Sequence, residues 1–360
     1  MEKVLQQVLE EYGFTPDAVS VERTGTGLIN STFIIRDGQQ EFILQRINHH
    51  VFKHPFYIDE NINAIGKYLQ AHFPGYFFTH PVKTKKGKTL IQIDDNYFRL
   101  FDYIKGSHTY TVVNKEGLAF EAAKQFGRFA KLLNDFPAGS LHFTIPGFHD
   151  LTLRQNQFLF ARKNAKKELL DKATPLIQAA QSFTDIPERY AQLHDTQGLL
   201  TRVIHHDTKI SNILFDNADK GICVIDLDTV MPGYYISDVG DMMRTYLSPV
   251  SEEERDLKKI GIRDDYFKAI AEGYLSEMQE FLTDTEIKHF VYAGQMIIYM
   301  QAIRFLTDFL NGNIYYEVID PLHNFYRAAN QFELLRLLNE QSSHFEKIIH
   351  HLLTKKHYTA

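Results

Sequence analysis

In "VIHHDTKISNILFD", Val203 to Asp216, an aspartate, a lysine and an asparagine stand at Asp207, Lys209 and Asn212. After one apolar run and a turn, "VIDLD" places Asp226 at the end of a second apolar run. A carboxylate such as Asp207 can orient a hydroxyl and accept its proton, and a lysine two residues on can offset negative charge developing on a transferring group. Asn212 and Asp226 are hard oxygen donors on two neighbouring segments, a set that suits Mg²⁺ bridging nucleotide phosphates. The chemistry these four residues could do together is phosphoryl transfer to an alcohol.

Other readings explain less of the pattern. His205 and His206 are adjacent, so on a strand they point to opposite faces and grip one ion poorly, which argues against a zinc site. A turn closed by Asp207, with His205 in the core, accounts for one or two of the polar residues and leaves the rest. The order H-x-D-x-K-x-x-N…D is the one that kinase-like phosphoryl transfer uses. Each member alone is weak, and the constellation is strong. Upstream, "TGTGLINSTFIIR", Thr24 to Arg36, offers a Gly-x-Gly turn between two strands where backbone N–H groups can approach phosphates. Glycines in hairpin turns are more often structural, and a third glycine is missing, with Asn30 nearby, so this turn gains weight only from its position.

The elements that must position these groups can be read from periodicity. Val4, Leu5, Val8, Leu9 and Tyr12 predict an opening amphipathic helix. Strands follow at 19–24, 31–36 and 41–47, the last two forming a hairpin at Asp37-Gly38; then come a helix at 57–73 and a second hairpin turned at Asp94-Asp95-Asn96. Beyond residue 105 the spacing predicts helices at 115–136, 152–164, much of 185–198, 236–247, 264–282, 284–311 and 322–352 with a break near Ser342. Only two short strands, 213–215 and 222–225, interrupt them. The reading is an α+β chain with an antiparallel β N-lobe at 1–104 carrying one helix, and a larger, mostly helical C-lobe at 105–360.

Composition sets the class. The 360 residues, 44% of them hydrophobic and 23% charged, suit a folded chain with a large core. A formal net charge of −6 argues against nucleic acid as a partner. The single cysteine, Cys223, leaves no internal disulfide framework, the N-terminal stretch lacks an apolar signal core, and no window is apolar enough to span a membrane. A cytoplasmic enzyme with no membrane partner is the expectation.

"HHDTKISNILFD", "VIDLDTVMPG", "SDVGDMMR", "GTGLINSTF" and "FILQRIN" together resemble the aminoglycoside phosphotransferase and choline kinase-like superfamily, with a protein-kinase-like two-lobed fold. Within it, "DTK", "IDLDTVMPG" and "RFLTDFLNGNIYYE" are most similar to the N-acetylhexosamine 1-kinases. The resemblance implies Asp207 as catalytic base, Asn212 and Asp226 as Mg²⁺ ligands and Lys209 over the γ-phosphate of ATP. It implies that residues 25 to 31, among them Gly25, Thr26, Gly27, Asn30 and Ser31, cover the phosphates. The segment 100–106, with Phe101, Asp102 and Tyr103, would then be the hinge that holds adenine. Glu60 would be the helix carboxylate that pairs with a strand lysine.

The chain departs from that pattern twice. The strand lysine is replaced by Gln45 and Arg46, which point to opposite faces. Arg46 is chemically the better phosphate partner, but strand phase cannot be fixed from sequence. Asp228 stands where a protein kinase has a glycine, and assisting the metal and lying in solvent are equally weighted readings of it. For the acceptor, Asp241 and Arg244, and Arg304 with Asp308 one helical turn on, are the candidates. Tyr315 and Tyr316 are possible stacking surfaces for a pyranose ring, with ordinary packing as the alternative. Mixed arginine and aspartate suits a neutral polyol better than a cation. The expected reaction is ATP-dependent phosphorylation of the C1 hydroxyl of N-acetylglucosamine or N-acetylgalactosamine. A same-fold kinase of homoserine, choline, methylthioribose or an aminoglycoside, or an inactive nucleotide-binding relative, is the alternative.

Overall fold

The computed structural model describes residues 2–24 and 29–356. The chain divides into two compact units; the first comprises Met1–His108, Asp135–Pro146 and Leu214–Pro232, and the second the remainder. In the first, helix α1 (Glu2–Tyr12) precedes strands β1 (Ser20–Thr24), β2 (Ser31–Asp37) and β3 (Gln40–Ile47), helix α2 (Pro55–His72), and strands β4 (Leu90–Ile93) and β5 (Asn96–Asp102). The sheet is antiparallel throughout, in the order β1-β2-β3-β5-β4. Its hairpins turn where the sequence places them. Gly38 (φ 60°) lies between the paired Asp37 and Gln40, and Asp94 (φ 51°) lies between the paired Ile93 and Asn96.

Strand alternation sorts the two faces of this sheet. Ile35, Leu44, Phe98 and Leu100 pack with Val8 and Leu9 of α1. One residue on from Leu44, Gln45 stands opposite Arg99 in the β3–β5 register, so both point to the other face. Two distant segments return to this unit, and a buried asparagine of α2 holds both. Asn61 Nδ2 donates to the carbonyls of His142 (2.9 Å) and Val230 (3.0 Å), and its Oδ1 accepts from His142 N (2.9 Å). No stretch's own periodicity reveals which core it joins, so the reading at residue 104 marks where the strand-rich run ends and not which later segments pack with it.

In the second unit, helices α3 (Glu116–Leu132), α4 (Leu151–Asn164), α5 (Lys167–Ser182) and α6 (Asp185–Asp195) precede strand β6 (Arg202–Ile204). The chain then crosses the first unit through β7 (Ile213–Phe215), which pairs with β8 (Gly221–Val224), and through β9 (Met231–Gly233). It continues as α7 (Tyr235–Tyr246), α8 (Asp264–Met278), α9 (Asp284–Lys288), α10 (Phe290–Leu310), α11 (His323–Glu340) and α12 (Ser342–Lys356). Helix α10 is apolar nearly all round and buried for most of its length, so it is the axis of this unit's core. Helix α7 lies close against it at Gly240, where an added Cβ would come within 2.2 Å of the Ala293 carbonyl oxygen. That close approach fixes α7, which in turn carries the supports of the Asp207 loop.

Three elements escape sequence reading. Helix α5 has Pro175 inside it, a residue that ordinarily ends a helical pattern. The three-residue strands β6 and β9 are too short to show alternation.

Candidate active site

The loop after β6 owes its shape to carboxylates on α7. The backbone N–H groups of His205 and His206 donate to the two oxygens of Asp238 (3.0 and 2.7 Å), and Thr208 N donates to Asp241 Oδ2 (2.8 Å). Thr208 Oγ1 donates to the Asp238 carbonyl (2.7 Å), while Tyr246 OH donates to the Thr208 carbonyl (2.6 Å). Asp238 and Asp241 are one turn apart on the buried face of α7, so a single helix supplies both clamps. Burial pushes Asp238 up to about 7, with Asp241 and Asp207 adding to it against the pull of its two N–H bonds. At the centre of the loop His206 has φ 66°, a left-handed conformation that side chains other than Gly, Asn, Asp and His seldom take.

On this scaffold Asp207, Lys209 and Asn212 come together. Lys209 Nζ lies 2.9 Å from Asp207 Oδ1, and Asn212 Nδ2 donates to the Asp207 carbonyl (2.8 Å) and to Oδ2 (3.2 Å). Burial raises the Asp207 carboxyl, but the Lys209 ammonium beside it outweighs that and holds it below the usual carboxylate range. Lys209 is correspondingly raised, first by the charge of Asp207. The result is a carboxylate ionised at neutral pH, partly accessible, beside a fixed cation: the state a base for an alcohol proton requires.

Asp241 and Arg244, expected at the acceptor, are committed to this scaffold. Arg244 is nearly buried, 2.9 Å from Asp241 Oδ1 and 2.6 Å from Glu252 Oε2. Asp241 therefore braces the loop directly, and Arg244 braces Asp241. Arg304 and Asp308 do not pair with each other. Asp308 is buried and accepts the N–H groups of Ile314 (3.0 Å), Tyr315 (2.8 Å) and Tyr316 (3.0 Å) and Asn324 Nδ2 (2.9 Å), so it closes the turn after α10. Three backbone donors that would otherwise be orphaned outcompete one exposed-type helix pair. Arg304 instead donates to Gln301 Oε1 (3.1 Å), with its guanidinium 5.4 Å from the Phe148 ring centre and 5.8 Å from that of Tyr316. Sequence reading missed two of its neighbours. Burial and then the Arg304 charge push the Arg154 guanidinium down to about 10. Burial, then His206 and the surrounding arginines, hold His149 well below the ordinary histidine range, its ring 5.3 Å from that of His206.

The first unit holds the remaining residues. Gly25, Thr26 and Gly27 lie outside the described residues. Ser31 opens β2, and its Oγ accepts from Arg46 Nη2 (3.2 Å). Arg46 thus shares a face with Leu44, and the side chain facing Arg99 is Gln45, whose Oε1 accepts from Arg99 Nε (3.0 Å) and Nη2 (2.8 Å). Strand phase thus turns Gln45, and not Arg46, toward Arg99. Glu60 is exposed and 2.7 Å from His142 Nε2, so the expected pairing with a strand cation is not made. Asp59, one residue earlier, is the α2 carboxylate that feels Arg99: burial raises it, and Thr89, Arg99 and Asn63 pull it back. Phe101 and Asp102 belong to the β5 ladder, and Tyr103 N donates to the Glu41 carbonyl (3.0 Å).

Asp228 is neither in solvent nor open to a metal. It is 2% exposed, forms an ion pair with Arg99, also 2% exposed, and accepts Asn30 Nδ2 at 2.7 Å. The sequence signal for Arg99 was an arginine inside the apolar strand "NYFRLFD". Asp226, two residues before, is exposed and left-handed (φ 57°, ψ 59°), a conformation that aspartate tolerates better than most side chains. The side-chain oxygens of Asp226 and of Asn212 are each of the hard kind that Mg²⁺ takes. Asp226 is an exposed carboxylate, and Asn212 turns its amide nitrogen into the loop, leaving a carbonyl oxygen with only a 3.5 Å contact from Ser211.

Residues 20–272 match the phosphotransferase enzyme family. Among solved structures, the chain is similar to a microcompartment-associated aminopropanol kinase, at 16% identity over 96% of this chain and 98% of that one, with a TM-score of 0.63. An aminoglycoside phosphotransferase from Alicyclobacillus acidocaldarius is similar at 14% identity over 94% and 96% of the two chains, with a TM-score of 0.61. A spectinomycin phosphotransferase in complex with ADP and spectinomycin is similar at 12% identity over 94% and 98%, with a TM-score of 0.58. At these identities the likeness is one of fold.

Proposed function

The chain belongs to the phosphotransferase enzyme family and is a small-molecule kinase acting on an alcohol, and on that premise we propose that it transfers the γ-phosphoryl group of ATP to the C1 hydroxyl of an N-acetylhexosamine. The observation that carries the reading is the Asp207–Lys209 pair at 2.9 Å on a loop whose backbone is fixed by other residues. Asp207 aligns the acceptor oxygen with the phosphorus and takes its proton, and Lys209 offsets charge on the transferring group. Asn212 and Asp226 would hold Mg²⁺, which when bound neutralises phosphate charge.

The acceptor assignment rests on the resemblance of "DTK", "IDLDTVMPG" and "RFLTDFLNGNIYYE" to the N-acetylhexosamine 1-kinases. One feature of the second unit favours it over ammonium acceptors such as choline or aminopropanol. Arg304 is close enough for its charge to disfavour that of Arg154, and Phe148 and Tyr316 lie beside Arg304. Two guanidiniums repel a cation and can donate to the many oxygens of a sugar.

A panel of N-acetylglucosamine, N-acetylgalactosamine, homoserine, choline, methylthioribose and an aminoglycoside, assayed for ADP formation and with products identified by phosphorus NMR, tests this. Turnover with a hexosamine and phosphate on C1 is expected. Turnover with another acceptor and none with either hexosamine would overturn the assignment.

A further inference from the structure

A kinase-type nucleotide lobe places a lysine on its third strand and pairs it with a helix carboxylate. Here that strand presents Gln45, and the cation has moved one strand over to Arg99, Gln45's cross-strand partner on β5. Its carboxylate has moved as well, from the helix to Asp228. From there the chain of contacts continues. Asp228 Oδ2 accepts Asn30 Nδ2 at 2.7 Å, and Asn30 Oδ1 accepts Asn48 N at 3.0 Å, just past the end of β3. Gln45, Arg99, Asp228, Asn30 and Asn48 therefore form one connected series that leaves β3 and returns to its end.

Stability alone does not account for this series. A buried ion pair is generally no more stabilising than apolar residues of the same volume. This one also leaves Arg99 Nη1 buried with no hydrogen-bond partner among the described residues, a further cost. What the series does is fix two places to one anchor. Asn30 stands immediately before β2, and Asp228 is two residues after Asp226.

We propose that Asn30, Asp228 and Arg99 are positioning residues for the donor nucleotide: the series holds the entry to β2 and the Asp226 turn in one register, replacing the missing strand lysine and its helix partner. They act through the entry to β2 and through Asp226. The inference rests on the phosphotransfer reading above.

The test is steady-state kinetics on Asn30→Ala, Asp228→Asn and the double variant, with the Michaelis constant for ATP, that for the acceptor, and the melting temperature measured for each. Asn30→Ala leaves the Arg99–Asp228 pair in place, so the fold is retained. Each single variant is expected to raise the ATP constant by roughly 10–100-fold, the size seen when a supporting partner of a ligand-holding residue is lost. The acceptor constant should stay within about twofold, and the double variant should be no worse than the weaker single variant, because both cut the same series. An unchanged ATP constant in Asn30→Ala overturns the proposal, as does an additive double variant, in which Asn30 would act on the nucleotide independently. So does a parallel shift of both constants with the melting temperature, which marks a merely structural role. Wild-type protein that transfers phosphate from ATP to no acceptor defeats the phosphotransfer reading itself. An active wild type with an unaffected Asn30→Ala defeats only the series.

Discussion

Two short stretches carry acidic residues proposed for the chemistry, and they are held in different ways. The Asp207 loop of the second unit is fixed by a distributed set of hydrogen bonds to its own backbone, from Asp238, Asp241 and Tyr246. The Asp226 turn of the first unit stands beside a single buried ion pair, Arg99–Asp228, with two amides on it, those of Asn30 and Gln45. A distributed support can lose a member and keep its shape. A buried charge pair that loses one partner leaves the other uncompensated in a low dielectric. The contrast implies that chemistry and folding separate cleanly at the first stretch and are entangled at the second.

The largest expected effect breaks or sustains the first half of that contrast. Asp207→Asn should lower kcat by about 10²–10⁴-fold, the usual contribution of a positioned base. Thermal stability should change little, since none of the loop's backbone clamps uses the Asp207 side chain. Because Lys209 holds Asp207 below the ordinary carboxylate range, its ionised form persists at neutral pH and is lost only as pH falls through that lowered value. A rate within about threefold of wild type would remove Asp207 as the base.

Next in size is a pair of stability measurements by urea denaturation. Arg99→Met strands Asp228 and should cost about 3–5 kcal/mol, as expected when one member of a buried pair is removed. Tyr246→Phe removes one donor to the Thr208 carbonyl and should cost only about 0.5–1.5 kcal/mol. Similar losses in the two variants would erase the distinction between clamp and network.

The same contrast explains what the sequence could and could not disclose. Asp207, Lys209 and Asn212 are legible because they act within one loop, where spacing is geometry. The hairpins are legible because Gly38 and Asp94 must take positive φ. Arg99 and Asp228 lie far apart in the chain, and no local pattern joins them, although an arginine inside "NYFRLFD" marks a buried charge in need of a partner. Asp308 shows the opposite limit. Its spacing from Arg304 fits a helix pair, yet the turn at 314–316 offers it three N–H groups, and tertiary demand overrides the local option. Helix α5 is hidden by Pro175, and Asn61, which recruits two distant segments to the first unit, looks in sequence like any helix asparagine.

The smallest expected effect sharpens the distributed side. Asp238 accepts two backbone N–H groups yet is pushed up to about 7, because burial outweighs those bonds and Asp241 and Asp207 add repulsion. A carboxyl raised above its unfolded value of about 3.9 keeps a proton in the native state that unfolding releases. It therefore contributes stability that is fully present at low pH and is lost as pH rises from about 4 through about 7. Asp238→Asn keeps a carbonyl oxygen for the loop and cannot titrate, so the difference in urea midpoint between wild type and this variant should drift against wild type across that window and flatten above it. A difference that stays constant from pH 4.5 to 8 would mean that Asp238 is ionised throughout. The loop would then be held by a charge, as the Asp226 turn is, and the two stretches would be alike in kind.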